Sequence, residues 1–205
     1  MPDRGSGATD ELLPQIRRSL DDSARVTRDT LAASEEAIAG AARLLIEAFS
    51  GGHKLLAFGN GGSAADAQHL ASELAGRFDS ERPALAAMAL ATNGSDLTAI
   101  GNDYGFDRVF ARLVEAHGRL GDVAVAISTS GCSQNVIAGA VEARKRGMST
   151  VALTGRGGGE LASLVDVAVI VPSDVTARIQ ESHIAVCHVL CELIESELFP
   201  ETAAT

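Results

Sequence analysis

The stretch Lys54-Leu-Leu-Ala-Phe-Gly-Asn60-Gly-Gly-Ser63, continued by Ala64-Ala-Asp-Ala-Gln-His69-Leu-Ala-Ser-Glu73, decides the fold. A short apolar run stops at a glycine-rich turn, and the turn opens a helix. Ser63 has the residue type of an N-cap, so the helix is expected to start there. His69 and Glu73 then stand at i and i+4, on one helix face. Backbone N–H groups at such a helix start favour an anion. A phosphate grip beside a His/Glu pair points to an enzyme acting on a phosphorylated small molecule.

Outward from this unit, strands and helices alternate. Lys54–Gly59, Ala84–Ala91, Asp122–Ser128, Thr150–Thr154 and Val167–Val171 read as strands. Ser63–Arg77, Phe106–Gly118, Ser133–Arg146, Gly159–Val165 and Val175–Phe199 read as helices, and Ser95–Tyr104 as a short helix and loop. The strand runs are continuously apolar, which implies a parallel sheet covered on both faces. With right-handed crossovers this gives a three-layer, doubly wound α/β fold whose ligands sit beyond the carboxyl ends of the strands. Upstream, Leu12, Leu13, Ile16 and Leu20, then Ile38, Ala42, Leu45, Ile46 and Phe49, keep a helical period until Gly51-Gly52. Residues 1–52 are therefore expected to form an N-terminal helical arm, and 53–205 the α/β domain. The arm's periodicity fits packing on a partner subunit or on its own domain equally well.

The chain has 205 residues and a net charge of −10, with 46% apolar and 3% aromatic residues and no Trp. That much apolar sequence builds one sizeable core. The negative charge repels DNA, RNA and anionic membranes, and stacking surface for bases is scarce, so no nucleic acid and no membrane is expected as partner. A small phosphate remains compatible, because local amides and hydroxyls can hold it. Cys132, Cys187 and Cys191 do not make a disulfide framework, which suits a reducing cytoplasm. Cys187 and Cys191, at i and i+4 of an apolar helix, read as small core residues. The first ten residues lack the apolar stretch of a signal peptide, and no segment has the length and apolarity of a membrane span.

Three turns after strands carry small polar residues: Gly59-Asn60-Gly61-Gly62-Ser63, Ser128-Thr129-Ser130-Gly131-Cys132-Ser133 and Thr154-Gly155-Arg156-Gly157-Gly158-Gly159. All fall on one edge of the expected sheet. The second clusters four hydroxyls at a helix start, as a neutral phosphate cradle needs, although Ser and Thr there can equally serve as caps. Neither the first nor the second has the Gly-Lys-Ser/Thr of a P-loop, and the first lacks the third glycine of a dinucleotide fingerprint.

On these residues the chain resembles the sugar isomerase (SIS) domain family and, within it, the bacterial phosphoheptose isomerases. The likeness runs from the arm to the last helix. It is carried by Gly59–His69, Gly101-Asn102-Asp103-Tyr-Gly-Phe, Ser128–Ser133 and Arg178-Ile-Gln180-Glu181-Ser-His183, together with Glu73 and His188. The resemblance implies conversion of sedoheptulose 7-phosphate to D-glycero-D-manno-heptose 7-phosphate in ADP- or GDP-heptose biosynthesis, of the kind that supplies lipopolysaccharide. It also implies a cytoplasmic homotetramer with active sites at subunit interfaces, and one Zn2+ per subunit. By position, the metal ligands are His69, Glu73, Gln180 and His188. Substrate contacts fall on Asn60, Gly61, Gly62, Glu73, Asn102, Asp103, Ser128, Thr129, Ser130, Ser133 and Gln180. Two positions depart from the family pattern: Cys132 stands where Asn is usual, and Ala177 where some members carry Asp.

Aldose–ketose isomerisation needs a base for a C–H proton and an acid for the oxygens. Glu73 suits the base and His188 the acid. A zinc-bound Glu73 is less free as a base, so its two roles compete. Each residue also has a plain structural reading: Glu73 as a solvated helix charge, His69 as a surface histidine, His188 as a core histidine. His183 reads as structural, and His53 and His117 as ordinary turn neighbours. Gln180 and His188 are eight residues apart, roughly 12 Å along a straight helix, so a shared metal needs both side chains to stretch toward each other, unless a helix break or contributions from different subunits relieve this. A non-catalytic relative that regulates replication initiation by binding the initiator protein is the alternative reading; the presence of Glu73 and His188 speaks against it.

Overall fold

Valine, leucine and alanine runs with no polar interruption form five short strands, and each is followed by a segment that turns back over the sheet. The computed structural model describes residues 7–200; the opening Met1–Ser6 and residues 201–205 lie outside the described residues. The elements are α1 (Gly7–Ser50), β1 (Leu55–Gly59), α2 (Gly62–Ala75), β2 (Ala87–Ala89), α3 (Gly94–Tyr104), α4 (Val109–His117), β3 (Val123–Ser128), α5 (Gln134–Lys145), β4 (Ser149–Thr154), β5 (Val167–Ile170) and α6 (Thr176–Leu198). The sheet is wholly parallel in the order β2-β1-β3-β4-β5. This is the three-layer doubly wound fold expected from the sequence.

Alternate strand residues feed two cores. Leu55, Ala57, Val123, Val125, Ile127, Val151, Leu153 and Val169 face a layer made by α1, α2 and α6. Leu56, Phe58, Ala124, Ala126 and Ala152 face α4 and α5. Three segments differ from expectation. The strand expected over Ala84–Ala91 shortens to Ala87–Ala89, because it lies on the sheet edge and pairs on one side only, with β1. The helix expected over Phe106–Gly118 begins as a 3-10 turn, Phe106–Arg108. The one expected over Gly159–Val165 is replaced by 3-10 turns at Arg156–Gly158 and Leu161–Ser163, since glycines at positive φ break the α ladder there.

The C-terminal half of α1 is part of the domain's own core, from Ile38 to Phe49. Ser34 fastens it to the edge strand: its hydroxyl donates to the Ile170 carbonyl at 2.9 Å and accepts the Ile170 N–H at 3.2 Å. The N-terminal half instead exposes Leu12, Leu13, Ile16 and Leu20. Cys187 and Cys191 are buried and unpaired, and burial pushes the Cys191 thiol up to about 12. Among the described residues no helix is long and apolar enough to cross a membrane.

Candidate active site

β1 and β3 lie side by side, yet α2 leaves to one face of the sheet and α5 to the other. Their carboxyl ends therefore flank the switch point where ligands of such folds bind. The turn after β1 starts α2 one step earlier than expected. Gly61 is the N-cap and makes no side-chain capping bond, and Ser63 is buried inside the first turn. The backbone at position 61 runs at φ +56, which glycine adopts freely and serine does not.

Ser128 ends β3, and its Oγ lies 3.1 Å from Ser133 Oγ and 3.5 Å from Ser130 Oγ. Ser133 is the N-cap of α5 by position, but its hydroxyl makes no capping bond. The hydroxyls of this turn thus converge on one another, the arrangement a phosphate can take over. Asn60 and Asn135 tie the two turns across the switch point with reciprocal amide bonds of 2.8 and 2.9 Å. The third glycine turn backs the second: the Leu161 N–H donates to the Gly131 carbonyl at 2.9 Å. Gly131 approaches it so closely that a Cβ would stand 1.9 Å from the Gly158 oxygen.

The chemical groups come from α2 and α6. His69 Nε2 lies 3.3 Å from Glu73 Oε1 and 2.9 Å from Nε2 of His188, 119 residues further on. The Phe78 ring also packs against His188, with ring centres 5.6 Å apart. The His69 and Glu73 side chains are 41% and 23% exposed, so a solute can reach them. Gln180 is placed elsewhere: its amide rests on Gly62, where a Cβ would meet Nε2 at 2.3 Å. Helix α6 is unbroken from Thr176 to Leu198. One chain by itself therefore holds Gln180 roughly 12 Å along the helix axis from His188, beside the glycine turn. Asn102 and Asp103 are exposed at the end of α3, where the Asn102 amide donates to Asp103.

The donor types of the trio, two imidazole nitrogens and a carboxylate, suit zinc. Its known separations of 2.9 and 3.3 Å are close to the ~3.3 Å between neighbouring donors of a tetrahedral zinc with bonds of about 2.0 Å. Among the described residues, however, no three His, Cys, Asp or Glu side chains form an arrangement that could hold a metal ion as it stands. The trio is instead paired through His69 Nε2.

His183 is buried and bonded through Nε2 to the Thr154 carbonyl at 3.0 Å. Burial pulls its pKa down to about 4 against that bond, which keeps it neutral and structural. Asp66, one turn before His69, has its pKa raised to about 6, because burial outweighs the pull of His69. Its Oδ2 has no hydrogen-bond partner among the described residues. Sequence reasoning missed Asn135, Phe78, Arg82 and Glu195. Only Glu195 left a signal, as an acid on the apolar stripe formed by Cys187, Cys191 and Ile194.

Comparison with known proteins identifies the family. The profile of the SIS domain matches residues 20–155. A phosphoheptose isomerase of Citrifermentans bemidjiense is 50% identical over 188 residues, covering 92% of this chain and 98% of that protein. One of Sulfurimonas denitrificans is 54% identical over 157 residues, covering 77% and 80%. The solved structure of a phosphoheptose isomerase from Neisseria gonorrhoeae superposes with a TM-score of 0.85 at 47% identity, covering 90% of this chain and 99% of that one.

Proposed function

The chain belongs to the SIS domain family and, within it, to the phosphoheptose isomerases, and from this we propose that it converts sedoheptulose 7-phosphate to D-glycero-D-manno-heptose 7-phosphate for heptose biosynthesis. The observation that carries the reading is the meeting of His69, Glu73 and His188, from opposite ends of the domain sequence, at 2.9 and 3.3 Å. The relatives matched are named as enzymes, and nothing here favours the non-catalytic alternative.

The sugar phosphate is held by the hydroxyls of Ser128, Thr129, Ser130 and Ser133 and by the start of α5, with Asn60, Gly61 and Gly62 on the facing turn. Gln180, Asn102 and Asp103 serve the sugar hydroxyls. Glu73 removes the proton from C1 of the ketose and returns a proton to C2. His188 serves the oxygens, as an imidazole with one nitrogen that donates and one that accepts. His69 orients both through Nε2. We further propose that His69, Glu73 and His188, together with Gln180, would hold a zinc ion. When bound it supplies Lewis-acid stabilisation of the sugar oxygens.

A homotetramer fits the apolar surface left unpartnered on one chain. Leu31, Val189 and Leu193 are exposed around a cavity of about 520 Å³ between α1 and α6, continuous in sequence with the exposed leucines of the arm. The unpaired cysteines fit a cytoplasmic location.

A coupled assay with sedoheptulose 7-phosphate tests the reading. Wild type should turn over; Glu73→Gln and His188→Gln should each lose about 100-fold or more in kcat while remaining folded. Full activity in Glu73→Gln would remove Glu73 from the chemistry, and no turnover by wild type supplied with zinc would overturn the assignment.

A further inference from the structure

Behind the catalytic trio lies an ion pair with no assigned role. Arg82 and Glu195 are almost wholly enclosed, with Nε 2.8 Å from Oε1. The Glu195 carboxylate also accepts the N–H groups of Phe78 at 2.9 Å, Asp79 at 3.1 Å and Ser80 at 2.9 Å. Burial would raise its pKa, but these bonds and Arg82 outweigh burial and hold it below the ordinary carboxylate value. The Arg82 guanidinium spends its other donors on backbone. Nη2 donates to the carbonyl of Glu73 at 2.8 Å, and Nη1 to that of Leu74 at 2.8 Å. Weaker bonds run from Nη1 to Pro83 and Gly76.

Three parts of the active site are thereby joined at one point. Arg82 grips the backbone of the residue proposed as base and caps the end of α2. Glu195 fixes the segment that carries Phe78, whose ring lies against His188. Glu195 itself sits seven residues after His188 on α6, two turns along the same face. A buried ion pair gives little net stability over an apolar pair of the same size, whereas it fixes geometry closely. We propose that Arg82 and Glu195 are positioning residues, which set the spacing of α2 and α6 so that Glu73 and His188 face the same substrate carbons. This rests on the isomerase reading above and adds to it the residues that hold the proton-transfer pair in place.

The test has an arm with substrate and an arm without. In the first, Glu195→Gln should lower kcat for sedoheptulose 7-phosphate by about 10- to 100-fold, because a misplacement near 1 Å is that costly. KM should stay within about twofold, since the phosphate turns lie on other elements. Glu195→Asp, which keeps the charge, should recover part of kcat. In the second arm, 15N-histidine-labelled protein is examined by NMR without substrate, and His188 is assigned by its loss in His188→Gln. The His188 ring signals should shift in Glu195→Gln, while those of His53 and His117 stay in place. Should Glu195→Gln not fold, Arg82→Lys decides, because it keeps the charge but loses the bonds to the Glu73 and Leu74 carbonyls. Unmoved His188 signals in a folded variant, or kcat and KM unchanged, would overturn the proposal. If wild type does not turn over the sugar while the His188 signals shift as expected, the isomerase reading fails and the positioning role stands.

Discussion

Gly131→Ala sets the hydroxyl-lined turn against its neighbour, and the size of the conflict can be read from the backbone. The residue has φ +64, and a Cβ would stand 1.9 Å from the Gly158 oxygen and 2.5 Å from the Gly158 carbon. Both partners are main chain, so no flexible side chain can swing aside. The two turns would have to part by about 1 Å or more to restore ordinary contact. The left-handed conformation costs alanine about 1–2 kcal/mol. Overpacking of a tight contact adds about 1–3 kcal/mol. A total loss of about 2–5 kcal/mol follows. Gly157→Ala is the matched control: φ is +75, but nothing lies within 4 Å of its Cβ, so only the conformational cost applies. Urea unfolding of wild type and both variants, with slopes compared, measures the difference. Gly131→Ala should lose clearly more stability than Gly157→Ala. It should also raise KM for the sugar phosphate, because Ser130 and Cys132 flank the displaced residue. Equal losses in the two variants would refute the close packing of the two turns.

Other perturbations separate binding, ionisation and metal. Asn135→Ala removes both amide bonds to Asn60 and frees it from the switch point; steady-state kinetics should show KM up by about tenfold with kcat less affected. For Asp66, the pKa is about 6 in the fold against 3.8 ordinarily, so the unfolded chain releases its proton first as pH rises. Stability therefore falls between about pH 4 and pH 6 and stays lowered above that. In Asp66→Asn that penalty is absent, so its Tm should exceed wild type near pH 7.5 by more than near pH 4 (about the limits of the window). Chelation should lower both activity and Tm, and zinc should restore both, with Glu73→Gln showing the smaller change in Tm.

Much of the architecture is legible in the residues because it depends on local pattern. β1 and β3 are unbroken apolar runs, and each is buried along its whole length. The turns that follow them fall together because parallel strands place like ends on one edge. What depends on context is less legible. Ser63 has the chemistry of a cap, but the positive φ needed at Gly61 sets the helix start earlier. The alanines of β2 carry little strand preference, and only Ala87, Met88 and Ala89 pair with β1. His69 and Glu73 are visible as a helical pair, whereas their meeting with His188 depends on how α2 and α6 pack, which no spacing within either helix encodes. Gln180 shows the same limit: motif likeness groups it with the trio, and the unbroken α6 sets it beside Gly62. The Arg82–Glu195 lock spans 113 residues and shows in the sequence only as an acid on an apolar stripe.

The most direct test of a carboxylate and an imidazole moving a proton between adjacent carbons is isomerisation in D2O followed by NMR of the product. Proton transfer through Glu73 predicts solvent deuterium at C2 of the aldose formed by wild type, and neither product nor exchange with Glu73→Gln. Product formed by Glu73→Gln at the wild-type rate, with deuterium at C2, would contradict it.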